Sequence, residues 1–356
     1  MTKLGDVCEY RSESVTVQEA ASMPLYISTD SMQPNRGPVS SSALPDTGKV
    51  KRFEAGDTLV SNIRPYFKKI WHAEVNGTCS NDILVFRPVG CTPSFLFWTL
   101  NSDEFFAYVT KTAKGTKMPR GDKRAIMEYA VQVPLEDEQR SLCQIMNSLQ
   151  EKIALNNRTN DYLAEMALAR FNHAIADGFV EIPFGKIAEL EDGKRIPLNK
   201  RQRELRKGPF RYYGAASVMD YVDDYLFDGV RLLIGEDGTV MNDAGFASLQ
   251  YVWGKYWVNN HAHIARGNNG YSTEDIYLAM MQTPVNEIVT GAVQPKINQK
   301  NLNSLILKLP KERVDLSSVF ALMRVNHDEG EQLASLRDAL LPKLMSGQLD
   351  VRAIEI

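Results

Sequence analysis

The stretch from Glu136 to Gly178, EDEQRSLCQIMNSLQEKIALNNRTNDYLAEMALARFNHAIADG, decides the fold. Between Glu136 and Ala176 it holds neither proline nor glycine. Leu142, Leu149, Asn156 and Leu163 recur every seven residues, and Met146, Ile153, Asn160 and Ala167 each follow four later. That spacing predicts one amphipathic helix of roughly ten turns with a single apolar seam. Asp137 and Glu138 place carboxylates in its first turn, where the helix dipole favours them, and Gly178 closes it. Such a helix is too long for one small domain to cover. Asn156 and Asn160 have two readings on this seam: polar pins that set the register of a partner helix, or residues facing solvent.

Working outward, residues 1–135 read as short strands broken by turns, among them Thr58–Ile63, Ile83–Phe86 and Tyr129–Val133, with a helix from Phe95 to Val109. Residues 179–310 return to short strands. Residues 316–345 are helical again, with Val319, Leu322, Leu333, Leu336, Leu340 and Leu344 on one face, and Gly330 and Pro342 weaken the two ends of that helix. The boundaries are therefore 1–135, a first module; 136–178, a central spacer helix; 179–310, a second module; and 311–356, a C-terminal spacer helix and tail. Gly115-Thr-Lys-Met-Pro119 and Gly291-Ala-Val-Gln-Pro295 lie 176 residues apart, and so do Pro134 and Pro310. Leu163, Leu168 and Phe171 match Leu336, Leu341 and Leu344 at an offset of 173. The chain reads as a duplication. The expected fold is α+β: two pseudo-twofold-related β-rich modules joined by two long antiparallel helices.

A length of 356 residues with 44% hydrophobic side chains suits two or three domains with proper cores. The four cysteines, Cys8, Cys79, Cys91 and Cys143, have no paired spacing and read as reduced thiols. The opening Met1-Thr2-Lys3-Leu4 is no signal peptide, and no apolar run approaches ~18 residues, so the expected location is cytoplasmic, away from membranes. Net charge is -3, but segments 130–178 and 311–356 account for -5 of it, which leaves the modules slightly basic.

That positive charge is clustered. Lys111, Lys114, Lys117, Arg120, Lys123 and Arg124 stand against Asp122 alone within 111–124. Lys194, Arg195, Lys200, Arg201, Arg203, Arg206, Lys207 and Arg211 stand against Glu204 alone within 194–211. Arg64, Tyr66, Lys68 and Lys69 add an aromatic-basic loop, and Lys296 is a further candidate. One such cluster by itself is more often a solvated surface. Basic modules alternating with acidic helices are what a DNA-facing surface on a protein-facing spine would produce.

Catalytic signatures are missing. The sequence has no phosphate-binding G-x-x-x-x-G-K-[ST], no G-x-S-x-G, no H-E-x-x-H and no Pro-Pro for an adenine methyltransferase motif. His261-Ala-His263 could put two imidazoles on one strand face toward a metal, but satisfied or DNA-proximal histidines are the better reading, and no metal site is assigned. Gly235-Glu-Asp-Gly238 reads as a hairpin turn rather than a calcium loop.

The chain resembles the specificity subunits of Type I restriction–modification systems over nearly its whole length. The resemblance rests on the architecture and on four stretches: Gly115–Pro119 running to Val133-Pro-Leu-Glu-Asp-Glu-Gln139; Leu233–Gly238 with Val258–His263; Gly291–Pro295; and Leu336-Arg-Asp-Ala-Leu-Leu-Pro-Lys-Leu-Met-Ser-Gly-Gln-Leu-Asp350. It implies two target recognition domains that each read half of a split site in double-stranded DNA. It implies a coiled-coil-like pair of helices that docks two methyltransferase subunits, joined by restriction subunits, with Leu142, Leu149, Asn156, Leu163, Leu333, Leu336, Leu340 and Leu344 on those helices. It implies a subunit that is no enzyme and holds no cofactor, with S-adenosylmethionine, ATP and Mg on the partners. Gly330 departs from the pattern by breaking the last helix. The rival readings are a non-enzymatic helical scaffold with protein- or carbohydrate-binding modules, and an enzyme built on the His261/His263 turn.

Overall fold

The computed structural model describes residues 2–291 and 294–350, which fall into two compact units. One comprises 1–155 with 330–356, the other 156–329. The division cuts through both long helices, so each unit is a β-rich module completed by part of each helix. Among the described residues no helix is long and apolar enough to cross a membrane.

The first unit holds two four-stranded sheets. One has the strand order Cys8–Tyr10, Ile83–Pro88, Thr58–Ser61, Ile70–His72, all antiparallel. The other runs Ser14–Thr16, Lys49–Phe53, Gly77–Cys79, Tyr26–Ile27, and its last pair is parallel. The helices Pro93–Leu100 and Asp103–Thr112 cover the first sheet and bury Phe95, Trp98, Phe105 and Phe106. The single helix expected from Phe95 to Val109 is thus two. Ser102 turns the chain and caps the second helix, its Oγ accepting from the Phe105 N–H at 3.2 Å. Thr2–Lys3 pairs with Ala130–Val131, so the module's entry and exit lie side by side.

The second unit repeats this plan. Its first sheet has the order Ala188–Leu190, Ala262–Gly267, Arg231–Gly235, Leu249–Val252. Its second runs Val218–Val222, Phe210–Tyr213, Lys255–Val258, Phe227–Asp228, again with one parallel pair. Phe179–Pro183 and Ile306–Pro310 pair antiparallel at entry and exit. The prolines 176 residues apart therefore mark equivalent exits, one just past a ladder and one ending it, where a residue without an N–H can sit. Gly235–Gly238 is no hairpin turn: it opens a longer loop that returns through the Met241–Ala247 bridge to Leu249–Val252.

Glu136–Asp177 forms one helix of 42 residues, about 63 Å long at 1.5 Å per residue. No seam residue is exposed, whereas Leu155 and Tyr162, off the seam, are 54% and 64% exposed. Its start is anchored by Gln139, whose side chain accepts from the Thr92 N–H at 2.9 Å and donates to the Pro134 carbonyl at 3.0 Å. In the first unit Leu142, Cys143 and Met146 share a core with Leu341 and Leu344 of the last helix. In the second, Ala167 and Phe171 share one with Leu316, Val319 and Phe320.

The last helix spans Ser317–Met345 and runs unbroken through Gly330 and Pro342, which corrects the interruption expected at Gly330. A single glycine costs a helix only about 1 kcal/mol against alanine, and the packed faces on either side outweigh it. Leu322 and Leu336 are also corrected: both are 47% exposed, turned away from the packed face that Val319, Leu341 and Leu344 occupy.

The seam asparagines settle as pins. Asn156 is buried, and its Nδ2 donates to the Asn326 carbonyl at 3.2 Å and to Glu329 Oε2 at 2.7 Å. Asn160 Nδ2 donates to the Met323 carbonyl, and Asn326 Nδ2 donates back to Asn160 Oδ1, both at 2.9 Å. Rising residue numbers on one helix meet falling numbers on the other, so the pair is antiparallel here. In the first unit the bond from Arg337 Nη1 to Gln150 Oε1, at 2.7 Å, continues that trend.

Candidate nucleic-acid interface

Gly115–Pro119 and Gly291–Pro295 are the tips of two equivalent hairpins. Lys114 and Arg120 exchange backbone hydrogen bonds of 2.8 and 2.9 Å, and Thr290 and Lys296 exchange two of 2.8 Å. Both glycines have positive φ, +95° at Gly115 and +89° at Gly291, which a residue with a Cβ rarely adopts. Each hairpin then bridges to the loop leaving its module's central strand, through Ile63–Arg120 in one and Asp237–Lys296 in the other. Ala292 and Val293 lie outside the described residues.

In the first module this bridging gathers three loops. The Arg64 N–H donates to the Pro119 carbonyl at 2.8 Å, and that of Gly121 to Asn62 at 3.2 Å. Asn35 and Arg36 donate their N–H groups to the carbonyls of Phe67 and Lys68, at 2.7 and 2.9 Å. Four non-glycine residues with positive φ sit together here: Asn35, Arg36, Arg64 and Lys68. A left-handed non-glycine residue costs about 1–2 kcal/mol, so the loops are held in shape against local preference. Asp103 receives Lys68 Nζ at 2.7 Å and also the Arg36 guanidinium. Lys69 Nζ donates to the Thr29 carbonyl at 2.7 Å. Lys114 pairs with Asp122 at 2.5 Å and Arg120 with Asp82 at 2.9 Å. Arg64, Lys117 and Lys123 make no ion pair among the described residues, and Lys117 and Lys123 are exposed. Tyr66, with its ring edge-on to Phe67, and Met118 present apolar surface, 48% and 46% exposed. Arg36 was not among the sequence candidates, although Pro34-Asn-Arg-Gly-Pro38 is a turn signal that points to it.

The basic run of the second module has a different fate. Arg195, 14% exposed, donates from Nη1 to Glu236 Oε2 at 2.6 Å and to the Ala262 carbonyl at 2.8 Å. Arg203 lies over the Tyr212 ring at 5.3 Å, bonded to Asp220 at 3.2 Å and to the Leu198 carbonyl at 2.7 Å. Arg206 pairs with Asp223 at 2.9 Å and Lys207 with Asp220 at 2.5 Å. Lys296 reaches Glu236 at 3.2 Å. Lys200 has a loose contact with Glu204, and Arg201 is exposed without an ion pair among the described residues. The acids that answer Arg203, Arg206 and Lys207 come from the strand Val218–Val222 and the turn after it, outside the basic run itself.

His261 and His263 are both bonded. His261 Nδ1 meets Asp237 Oδ1 at 2.5 Å near the surface. His263 is buried, with Nδ1 at 2.6 Å from Asp192 Oδ2 and Nε2 at 2.8 Å from the Ile297 carbonyl. Asp192, Glu236 and His263 stand close enough to suggest a cation site. Both ring nitrogens of His263 already face oxygen acceptors, however, and Arg195 and Lys296 already neutralise the carboxylates.

Two β-rich modules with the same bridged hairpin, each completed by parts of two long helices, define a duplicated, helix-spaced two-module protein. Residues 177–317 match the family described as the Type I restriction modification DNA specificity domain. The Type I restriction enzyme HindI specificity subunit of Haemophilus influenzae is 28% identical over 142 residues, 38% of this chain and 30% of that one. The MjaIX specificity subunit of Methanocaldococcus jannaschii is 19% identical over 306 residues, 74% of this chain and 71% of that one. The chain spans about a third of the length of the Haemophilus influenzae relatives it matches. A Type I restriction–modification system S subunit from M. genitalium shares the fold, with a TM-score of 0.58 at 16% identity over 96% of this chain and 95% of that one. Together these findings show that the chain is similar in sequence, over its second module, and in fold to specificity subunits of Type I restriction–modification systems.

Proposed function

We propose that the chain is the sequence-specific DNA-binding subunit of a cytoplasmic Type I restriction–modification enzyme. Each module reads one half of a split site. The chain positions two methyltransferase subunits, and restriction subunits with them, for adenine methylation or cleavage. It contributes no reacting group of its own. S-adenosylmethionine, ATP and Mg belong to those partners.

The observation that carries this reading is the convergence of three strained loops in the first module, with Arg64, Lys117 and Lys123 left without acidic partners among the described residues. Lysine and arginine on phosphates supply affinity and register, while exposed side chains such as Tyr66 and Met118 are of the kind that touch base edges. The second module is more neutral at its surface, and Arg201 and Lys200 are its foremost phosphate candidates. A methyltransferase docked beside each module would then flip an adenine from the stack.

The test is to express the chain with its methyltransferase subunit and map N6-methyladenine by long-read sequencing. The expected result is a split motif with one modified adenine on each strand. An active methyltransferase that leaves no motif would overturn the reading.

A further inference from the structure

Beneath the second module's hairpin lies a buried charge cluster that the DNA-contact argument does not use. Its centre is His263. Facing the ring are Asp192 from the turn after Ala188–Leu190, Glu236 from the loop after Arg231–Gly235, and the Ile297 carbonyl at the hairpin's exit, while Arg195, from the same turn as Asp192, pairs with Glu236 at 2.6 Å and lies 3.6 Å from Asp192. Gln299 donates to the same Asp192 oxygen at 2.6 Å, and Lys296 closes the cluster at the surface through Glu236. His261 sits further out on the same strand with Asp237.

The chemistry of the ring follows from its neighbours. A carboxylate oxygen and a carbonyl oxygen can only accept, so a ring that satisfies both must carry a proton on each nitrogen. With His263 as an imidazolium, the inner group of Asp192, Glu236, Arg195 and His263 sums to zero charge. Burial alone would push the imidazole toward its neutral form. The bonds to Asp192 and Ile297, with Glu236 nearby, outweigh it and raise the pKa above the ordinary histidine value.

The connections of this ring are what matter. Asp192, Glu236 and Ile297 belong to three separate segments. The latter two carry the loop and hairpin equivalent to those gathered in the first module, where the Gly121 N–H bonds to Asn62 as that of Ile297 bonds to Glu236 at 2.9 Å. The positions of the first module that correspond to His263, Glu236 and Ile297 hold Leu84, Asn62 and Gly121, none of which titrates. We infer that His263, held as an imidazolium, is the positioning residue that fixes the reading loops of the second module, so that one half of the DNA site is recognised through a single buried proton and the other half is not.

This inference rests on the proposed function, and its test separates the two. In the full chain with its methyltransferase partner, the ring nitrogens of His263 would be observed by ¹⁵N NMR. Competition binding would measure discrimination against substitutions in each half-site as pH is raised. The expected result is two protonated ring nitrogens at neutral pH, and discrimination at one half-site that falls as His263 loses its proton while the other stays level. His263→Gln should lower discrimination at that half-site at least ten-fold and flatten its pH profile, with the other half-site as the internal control for folding. His263→Leu, which installs the first module's residue, should do the same. A singly protonated ring, or variants that still discriminate at both half-sites with the wild-type pH profile, would overturn the inference. If the wild-type chain showed no sequence preference at all, the functional reading would fail, and the positioning role with it.

Discussion

Arg201 and Arg203 lie two positions apart, and the structure assigns them opposite consequences. Arg203 is 15% exposed, stacked on Tyr212 and bonded to Asp220 and Leu198, so Arg203→Ala strips three contacts from a packed site. A loss of about 1–3 kcal/mol of stability is expected, read as a lower midpoint in chemical denaturation. Arg201→Ala should change stability by no more than about 0.5 kcal/mol, and should instead weaken DNA binding if that helix touches a phosphate. The unpaired cations of the first module make the sharper case. Arg64→Ala and Lys117→Ala should each reduce the slope of log affinity against log salt by about one if each neutralises one phosphate. An unchanged slope for both would remove this loop platform from the interface. The His263 cluster adds a pH signature. Burial works against the charged forms of Asp192 and Glu236, but their partners win and hold both below the ordinary carboxylate range. Their contribution is present above that range and lost as pH falls through the folded values. His263 is raised, so its contribution is full below the ordinary histidine value and lost as pH climbs through the folded one. Thermal unfolding followed across pH should therefore show a limb at each end. His263→Leu should abolish the alkaline limb, and a limb that survived would assign it to another group.

At the scale of elements, the seam asparagines test how the helices find their register. Asn156→Leu should remove the bonds to the Asn326 carbonyl and to Glu329 Oε2 and cost about 1 kcal/mol, although leucine is the better helix former. A leucine variant as stable as wild type would mean that packing alone sets the register. The seam could be read from sequence because a period of seven over many turns leaves one solution, and every predicted seam position of the central helix is indeed covered. The last helix was less legible. Its apolar residues are enough for two faces, so spacing alone could not show that Leu322 and Leu336 point outward. The basic clusters were legible as composition but not as availability. In the first module the loops that meet are far apart in sequence, and only the Gly115–Pro119 turn and the Pro34–Pro38 signal betray them. In the second, Asp220, Asp223 and Asp224 come from the strand facing the basic helix and its following turn, and a count within the basic run itself leaves them out. His263 was seen as a candidate ligand because spacing reports which residues share a strand face. It says nothing of Asp192, 71 residues away, which decides the ring's role.

For the whole molecule, the question is whether the helices act as a ruler. Every hydrogen bond named between them lies inside one unit: Gln150 with Arg337 in the first, and Asn156 and Asn160 with Met323, Asn326 and Glu329 in the second. A heptad inserted between Leu155 and Asn156, matched by one between Glu329 and Gly330, would preserve all of these contacts while lengthening both helices by about 10 Å. On B-form DNA that length corresponds to about three base pairs, at 3.4 Å each. A heptad rotates a helix face by only about 20°, whereas three base pairs turn the duplex by about 100°. The added length and the added twist therefore do not match. The expected outcome is loss of methylation at the original motif, with any surviving activity weaker and moved to a gap longer by up to about three base pairs. Methylation mapping of the inserted variant beside the wild type decides the matter. If the original gap persisted at full efficiency, the separation of the half-sites would be set by the partner subunits and not by this chain.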